Sequence, residues 1–460
     1  MISYFPKRVF EHFEIWDVDG DFFQTLRIHR TTVHHSKPSD RIVEIHFLFI
    51  QVLIYTYVVY NHLVLFENFE IKCIYDVMIT LERFDESLAQ TKFDAVVVGC
   101  GLSGCVLAER MANLHDKKVL IIEKRGHIAG NCYDYTDLDT GILMNKYGAH
   151  LFHTNDEIVW KYVNLFSDWV RWEHKVIASV AGKFVSVPVN ISTVNEICAT
   201  HLKTIEDMDT WLAKNQVDFE RIENSEQMAL SKVGKVLYET LFKNYSMKQW
   251  NKDPSELGPE VLARIPVRHD FDSRYFDDKY QALPKNGYTS FVSNMIASDN
   301  ITICLNTDYF DVRDKFIETP NVLVYTGPID RYFKGVETLE YRSLNFHTEV
   351  YRNMNYYQPN SVVNYPEEDV PFTRIIEYKH FLNQKSKDTV IVKETSSAEG
   401  EPYYPVLNEK NKRIFDEFKK MADEEKGVVF AGRLANYKYY NMDQAIANAL
   451  WLFENVIKCE

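Results

Sequence analysis

Three glycines and one glutamate carry the clearest chemical signal in the sequence. Gly99, Gly101 and Gly104 follow a short apolar run, and Glu123 closes a second apolar run nineteen residues after the last glycine. Residues without a Cβ let the chain turn tightly against a pyrophosphate and let the next helix pack close to the preceding strand. An acidic residue at that distance accepts a hydrogen bond from a ribose hydroxyl. The spacing therefore predicts a dinucleotide site.

The elements around these residues agree with that chemistry. Segment 95–98 predicts a buried strand, 104–114 a helix and 119–122 a second buried strand, and together they form a βαβ unit. The N-terminus of the helix offers free N–H groups and a dipole that attract a pyrophosphate. The fingerprint occurs once in the sequence. This favours bound flavin adenine dinucleotide (FAD) or a single nicotinamide dinucleotide over a reductase with two nucleotide domains.

Composition narrows the class of protein. A chain of 460 residues is too long for one ordinary core and predicts two or three domains. The net charge of −14 argues against nucleic acid as a partner, so an anionic substrate needs a few local arginines. The seven cysteines form no CxxC pair. They indicate reduced thiols in the cytoplasm, with neither a zinc site nor a disulfide framework.

The fingerprint usually opens its domain, so residues 1–90 are predicted to be a separate N-terminal extension of unknown role. Within it, segment 47–66 is mostly apolar and twenty residues long, which is near the length that spans a bilayer. Gln51, Asn61 and His62 interrupt it, and its β-branched and aromatic residues fit two buried strands at least as well. We favour strands, and membrane contact through this segment is the alternative.

The rest of the chain is predicted to be α/β, because apolar strand-like runs alternate with polar helical segments. We expect a Rossmann-like FAD-binding domain with an inserted helical domain and a sheet-rich substrate domain. The FAD domain is discontinuous, over 91–191 and 410–460. The helical domain covers 192–265, and the sheet-rich domain covers 266–409 and is partly shared with the FAD domain.

Eight stretches, in the same order along the chain, carry a resemblance to a known family. They are residues 123–131, 146–155, 264–268, 325–330, 341–344, 373–381, 401–405 and 432–440. Through them the chain resembles the bacterial type of UDP-galactopyranose mutase over about residues 92–458.

The resemblance implies an FAD enzyme that is active with reduced flavin. It would interconvert UDP-galactopyranose and UDP-galactofuranose through an adduct between flavin N5 and the sugar, without net redox. It also implies a homodimer and an external reductant such as NAD(P)H or a reductase. Two other functions are weighed against it: an FAD-dependent oxidase of the amine-oxidase-like superfamily, and a catalytically silent flavoprotein that serves the N-terminal segment.

Charged residues of the matched motifs are the predicted catalytic groups. Arg264 and Arg374 match the two arginines that hold the diphosphate, and guanidinium groups grip phosphate oxygens bidentately. Taken singly, each would be read as a solvated surface arginine. His150 and His153 could form a metal pair, but the sequence shows no nearby carboxylate or cysteine to complete the ligands. Both are therefore expected beside the flavin, with no metal.

Aromatic residues of the same motifs are the predicted substrate contacts. Phe242 and Tyr245 are three residues apart and share a helix face. The resemblance implies that this face sandwiches uracil, and an aromatic core stripe is the alternative. Four further residues are expected to line the sugar or to donate hydroxyls to the diphosphate without adding charge: Trp250, Tyr275, Tyr403 and Tyr439.

The expected cofactor contacts extend over the fingerprint, the residues after the second strand, the first histidine and the C-terminal motif. They are Gly99, Gly101, Leu102, Ser103, Gly104, Glu123, Lys124, Gly130, Asn131, His150, Gly432, Arg433 and Met442. The chain also departs from the family pattern. Ala129 stands where the family usually has glycine, so that position must tolerate a Cβ near the flavin. Asn436 and Asn441 stand where acids are usual.

Overall fold

The structure is a computed structural model that describes residues 12–16, 22–27, 73–74, 80–82, 84–318, 320–333 and 337–457. The chain divides into two compact units, Met1–Met78 and Ile79–Glu460. In the first unit, the described strands are β1 (His12–Trp16), β2 (Phe22–Arg27) and β3 (Cys73–Ile74). They form an antiparallel sheet in the order β2-β1-β3.

The apolar segment 47–66, for which the sequence favours buried strands over membrane contact, lies outside the described residues. Within the described part of the chain, no helix combines the length and the apolar character needed to cross a membrane.

The second unit contains eighteen strands and thirteen α-helices among its described residues. The strands are β4 (Thr80–Glu82), β5 (Ala95–Val98), β6 (Val119–Ile122), β7 (Asp134–Thr136), β8 (Leu143–Asn145), β9 (Phe152–Thr154), β10 (Trp169–Arg171), β11 (Ile177–Val180), β12 (Lys183–Ser186), β13 (Tyr280–Pro284), β14 (Ile301–Cys304), β15 (Val322–Tyr325), β16 (Tyr341–Tyr351), β17 (Val362–Asn364), β18 (Arg374–Glu377), β19 (Thr389–Ser397), β20 (Tyr404–Pro405) and β21 (Val428–Phe430). The helices are α1 (Glu86–Gln90), α2 (Leu102–His115), α3 (Glu157–Val163), α4 (Ile191–Cys198), α5 (Ile205–Asn215), α6 (Ser225–Leu237), α7 (Asn244–Trp250), α8 (Tyr288–Met295), α9 (Tyr309–Val312), α10 (Ile329–Tyr332), α11 (Glu409–Glu424), α12 (Gly432–Ala435) and α13 (Met442–Asn455).

A six-stranded parallel sheet is the centre of the unit, in the order β21-β15-β5-β6-β14-β4. The predicted βαβ unit is confirmed as β5, α2 and β6, with α2 beginning after Gly101. Every residue of β6 is buried, which fits a parallel strand covered on both faces. Helix α13 packs along α2, so the C-terminal segment covers the first helix of the chain's dinucleotide fold.

A second, mixed sheet has seven strands in the order β12-β11-β17-β18-β19-β16-β20. Its neighbours pair antiparallel except β11 and β17, which run parallel. The α/β fold class predicted from the sequence is therefore confirmed. The parallel sheet also takes β14 and β15 from within segment 266–409.

The segment predicted to be helical contains α4, α5, α6 and α7, with a π-helical stretch at Tyr238–Lys243 joining the last two. Capping residues explain where these helices begin. Asn190 and Thr193 form a reciprocal capping box at α4, and Thr204 and Asp207 form another at α5. Each box satisfies backbone N–H groups that a helix start would otherwise leave unpaired.

The second unit begins at Ile79, whereas the sequence suggested a start at residue 91. Strand β4 pairs parallel with β14 at the edge of the central sheet. Leu88 of α1 is only 4% exposed and packs in a cluster with Val96, Leu120 and Ile122. The segment before the fingerprint thus completes the sheet edge and its apolar cover.

We predict that a protein of residues 79–460 folds and melts cooperatively, while one of residues 92–460 is less stable. The shorter protein lacks β4 and buried Leu88, and losing a buried leucine side chain costs about 2 to 5 kcal/mol. Thermal unfolding of both proteins, followed by circular dichroism, tests this. Equal melting temperatures would show that the segment 79–91 adds nothing to the fold.

Candidate functional site

The turn between β5 and α2 is built by close backbone approach. Gly99 has φ +103°, in the region that favours glycine. A Cβ on Gly104 would lie 2.1 Å from the carbonyl oxygen of Gly99 and 3.0 Å from Val97 Cγ1. Gly130 comes equally close from another loop, because a Cβ there would lie 2.8 Å from the Cα of Gly101. The first turn of α2 therefore presents bare backbone, which is the surface that a pyrophosphate needs.

Glu123 stands at the end of β6 with its carboxylate held in place. Its Oε2 accepts a hydrogen bond from the backbone N–H of Cys100 at 2.8 Å, and its Oε1 accepts one from the backbone N–H of Arg125 at 2.8 Å. Two backbone donors orient the buried carboxylate beside the glycine turn. Each oxygen keeps a second lone pair for a ribose hydroxyl.

One cavity is lined by Glu123, by the glycine turn and by His150 and Met442. All thirteen residues predicted as cofactor contacts line it. A glycine cradle and a fixed acidic residue on one cavity fit a dinucleotide such as FAD. The sequence did not single out other lining residues that follow neighbouring parallel strands, although the ends of such strands are where α/β sheets bind ligands. They are Thr307, Tyr309, Phe310, Thr326 and Arg331.

Two histidines near the site are held in the neutral form. Nδ1 of His150 lies 2.8 Å from the carbonyl oxygen of Gly148, and burial lowers the pKa of His150 to about 4. Burial lowers the pKa of His174, which is 3% exposed, to about 3. Both imidazoles are therefore uncharged at neutral pH, so neither neutralises a bound anion.

Ala129, one of the departures from the family pattern, is fully buried and has φ +69°. The left-handed conformation costs a residue with a Cβ about 1 to 2 kcal/mol. The loop tolerates this Cβ, and the strained turn leads directly into Gly130 at the cavity wall.

Arg374 lies on β18 and forms an ion pair with Glu394 of β19. Its Nη2 is 2.9 Å from the carboxylate, and Glu394 is 1% exposed. Within the described part of the chain, the Nε of Arg374 is buried and has no hydrogen-bond partner. The carboxylate thus fixes one side of the guanidinium and leaves a donor for an anionic ligand.

Arg264 lies on an exposed turn and rests on the segment between α12 and α13. Its guanidinium is 4.3 Å from the ring centre of Tyr439 and donates a short hydrogen bond to Asn441. Burial raises the pKa of Tyr275, and the charges of Arg264 and Arg374 oppose that rise. Two arginines from distant segments therefore act on one tyrosine hydroxyl.

The predicted aromatic contacts fall into two groups. Trp250 and Tyr439 meet edge to face at 5.9 Å, and Tyr404 packs against both. Tyr403, which the sequence suggested for the substrate, lines the cofactor cavity instead, near Tyr147. Adjacent residues of an extended segment point to opposite sides, so Tyr404, the neighbour of Tyr403, packs with Trp250 and Tyr439.

Phe242 lies in the π-helical stretch, and Tyr245 lies three residues later in the first turn of α7. Phe242 is 7% exposed, and burial raises the pKa of Tyr245 well above its usual value. The charge of Arg374 opposes that rise, and the helix contacts β19, the neighbour of β18 in the sheet. π-helical stretches within helices often occur at functional sites.

His153 has a carboxylate partner that the sequence did not reveal. Its Nδ1 lies 2.8 Å from Asp278 Oδ2, and its ring stacks on Phe276 at 3.7 Å. The two residues are 125 positions apart in the chain. Among the described residues, no cluster of three or more histidine, cysteine or acidic side chains could hold a metal ion.

Comparison with known proteins gives consistent relationships. A family model for UDP-galactopyranose mutase matches residues 240–439, and one for an NAD(P)-binding Rossmann-like domain matches residues 97–166. A probable UDP-galactopyranose mutase from Klebsiella pneumoniae is 37% identical over 361 residues, covering 77% of this chain and 92% of the relative. A dTDP-fucopyranose mutase from Escherichia coli is 35% identical over 371 residues, covering 79% and 98%.

A solved structure shares the fold. The crystal structure of a reduced UDP-galactopyranose mutase superimposes with a TM-score of 0.64 at 14% identity, covering 80% of this chain and 95% of that one. At that identity the likeness concerns the fold alone.

We predict that Gly101→Ala and Gly104→Ala separate cofactor binding from folding. A Cβ on Gly101 meets only the Cα of Gly130, at 3.9 Å, so the protein without ligand accommodates it. The added methyl group faces the expected pyrophosphate, so FAD affinity falls about tenfold or more. The Gly104 substitution collides with backbone and lowers the melting temperature of the ligand-free protein as well. FAD titration and thermal unfolding measure both effects, and unchanged FAD affinity of Gly101→Ala would move the pyrophosphate elsewhere.

Proposed function

The chain belongs to the UDP-galactopyranose mutase family, and from that premise we propose that it interconverts UDP-galactopyranose and UDP-galactofuranose with FAD as its cofactor. One observation carries the proposal beyond family membership. Arg264 and Arg374, from segments about a hundred residues apart, carry charges that both oppose the rise in the pKa of Tyr275, while Arg264 rests on Tyr439 and Arg374 is fixed by Glu394. Such convergence of two guanidinium groups, in a chain with a net charge of −14, is suited to a diphosphate.

Reduced FAD in the cavity would supply N5 as a nucleophile toward the anomeric carbon, with UDP as the leaving group and no net redox change. The chain's own residues have other tasks. Arg264 and Arg374 hold the diphosphate and stabilise the charge that collects on it as the bond to the sugar breaks. Phe242 and Tyr245 hold the uracil, and Trp250 and Tyr439 exclude water from the sugar. This division leaves bond making to the cofactor.

The role of His153 follows from its partner. Asp278 accepts the hydrogen bond of the Nδ1–H group, which fixes the orientation of the ring. We assign Nε2 of His153 as a polar contact on the substrate side of the site. His150, neutral and bonded to a backbone carbonyl, lines the flavin end.

A second nucleotide sugar is also a candidate substrate. The dTDP-fucopyranose mutase from Escherichia coli is 35% identical to this chain, nearly as similar as the relative from Klebsiella pneumoniae at 37%. The two ligands share a diphosphate and a pyranose, so the arginine pair serves either. A side-by-side measurement of kcat/KM with both nucleotide sugars decides between them.

We further propose that the enzyme is a cytoplasmic homodimer and that its flavin is reduced from outside by NAD(P)H or a reductase. Among the described residues of the second unit, Cys100, Cys105, Cys132 and Cys198 form no disulfide bond, and the first three are buried. Reduced thiols suit a reducing compartment.

We predict that purified protein is yellow and converts UDP-galactofuranose into UDP-galactopyranose only after reduction with dithionite. The reaction returns the flavin to its starting state, so one reduction supports many turnovers. Chromatography of the nucleotide sugars, with absorbance of the flavin, measures both quantities. Oxidation of one molecule of NAD(P)H per molecule of product would instead show a net redox reaction and contradict the proposed isomerisation.

We predict that Arg264→Ala and Arg374→Ala each lower kcat/KM by a factor of about 10 to 150, because each removes charge-assisted hydrogen bonds worth about 1.5 to 3 kcal/mol. FAD content should be unchanged. Arg374→Ala also leaves Glu394 buried without its partner, so the variant is compared with Arg374→Lys, which retains a charge. Exposed Arg221 in the helical segment provides the control substitution to alanine. Loss of FAD from either variant would place that arginine in the cofactor site instead.

A further inference from the structure

The ammonium group of Lys248 lies at the centre of a ring of four backbone carbonyl groups. Its Nζ is 2.6 Å from the oxygen of Tyr365, 2.8 Å from that of Glu367, 3.0 Å from that of Val370 and 3.1 Å from that of Phe372. An ammonium has three N–H groups, so four acceptors at these distances surround it as ligands surround a small cation. Lys248 contacts neither the cofactor cavity nor the aromatic group.

The four carbonyls all belong to the loop 365–372, which joins β17 to β18. Carbonyl dipoles that point at one place repel one another unless a positive charge lies between them. The loop is tied at its ends, since the N–H of Tyr365 donates to Thr373 O and the N–H of Thr373 donates to Glu394 O. Between those ties, Lys248 is the group on which the loop converges, and Arg374 follows two residues after the last of the four carbonyls.

The same lysine lies on α7, between Tyr245 and Trp250. The sheet also holds the next residue of this helix: the carbonyl of Gln249 accepts hydrogen bonds from Arg342 Nε at 3.1 Å and from the hydroxyl of Ser396. Helix α7 is thereby fixed to β16 and to β19, the strand that carries Glu394, while Lys248 ties it to the loop before Arg374. The distance between the expected base-binding residues and the diphosphate arginine is set through these contacts.

We propose that Lys248 is a positioning residue for nucleotide binding, which holds the loop before Arg374 in register with helix α7 and so fixes the arginine for the diphosphate. The inference rests on the proposed function, because it assigns Lys248 a part in binding UDP. It acts through Arg374 and touches no substrate atom.

The charge of Lys248 responds to pH in an accessible range. Burial lowers the pKa of Lys248 to about 8, against the partial opposition of Asp369 and Glu367, which are the charged groups facing it from the loop. A lowered pKa means that the ammonium is present below pH 8 and is lost as the pH rises through that value. Loss of the proton leaves a neutral amine with two N–H groups, so the four carbonyls lose one donor and the positive charge between them.

The test is a double-mutant cycle measured by UDP binding to the full-length, FAD-loaded, reduced enzyme. We expect Lys248→Met to weaken UDP binding about tenfold while FAD content stays unchanged. In the Arg374→Ala background the same substitution should have no effect, because the residue through which it acts is missing. Lys235→Met on the exposed face of α6 is the matched control. Equal losses in both backgrounds, or no loss in the first, would overturn the proposal.

A second measurement uses the unmodified enzyme, so it tests the proposal even if Lys248→Met does not fold. In the unmodified enzyme, UDP affinity should fall between pH 7 and pH 9, whereas Lys248→Arg, whose charge persists, should give a flat profile. Protection of the backbone amides over 365–374, which is the exchange rate relative to the base-catalysed intrinsic rate at each pH, should fall over the same pH range. A flat affinity profile or unchanged protection in the unmodified enzyme would refute the role.

The two proposals fail in different ways. If the unmodified enzyme binds no UDP at any pH, the proposed function is wrong, and the role of Lys248 in nucleotide binding falls with it. If the unmodified enzyme binds UDP and the variants show no coupling, the function stands and the positioning role alone is wrong.

Discussion

The approach of α2 to β5 without any side chain between them is the constraint on which the rest of the site depends. Gly104 lies so close to the carbonyl of Gly99 that even a methyl group would collide with it. Because the helix starts there, its first N–H groups face the cavity, and the ends of the neighbouring parallel strands meet at the same edge. Glu123, the loop after β14 and the C-terminal helix α13 are then assembled around one groove. The cofactor end of the site is thus a product of backbone geometry.

The substrate end depends on charges brought together over long distances. The chain as a whole repels anions, with a net charge of −14, so a diphosphate can be held only where positive charge is locally fixed. A buried glutamate fixes Arg374 from behind, while Arg264 rests on an aromatic ring. The buried Glu394 prevents the arginine from turning away, and the pair avoids the penalty of an isolated buried ion. Helix α7 is attached to the same sheet, so the proposed contacts to the base and to the diphosphate share one framework.

Local spacing explains what could be predicted from the sequence. The βαβ unit follows from a pattern within about thirty residues, and the α/β class follows from the alternation of such short patterns. The structure places all thirteen expected cofactor contacts on one cavity. The contacts that the sequence did not predict join residues that are far apart in the chain. Asp278 meets His153 across 125 positions, and β4 joins the sheet through β14, more than two hundred residues further along. The sequence could not show that Tyr404 rather than Tyr403 joins the aromatic group, because the direction of each side chain depends on how β20 pairs in the sheet. No pattern in the sequence marks backbone carbonyls, so the ring around Lys248 was invisible before folding.

The contact of Arg264 with Asn441 bears on how quickly the arginine side chain can move. The guanidinium leans on an amide and on the ring of Tyr439, with no carboxylate at that place to hold it. Releasing a hydrogen bond between a charged and a neutral group costs about 1.5 to 3 kcal/mol. Exposed side chains change rotamer within about a nanosecond, whereas a typical enzyme turnover takes about a millisecond or longer. In its proposed role, the arginine can therefore leave its resting place for an arriving phosphate many times within one turnover.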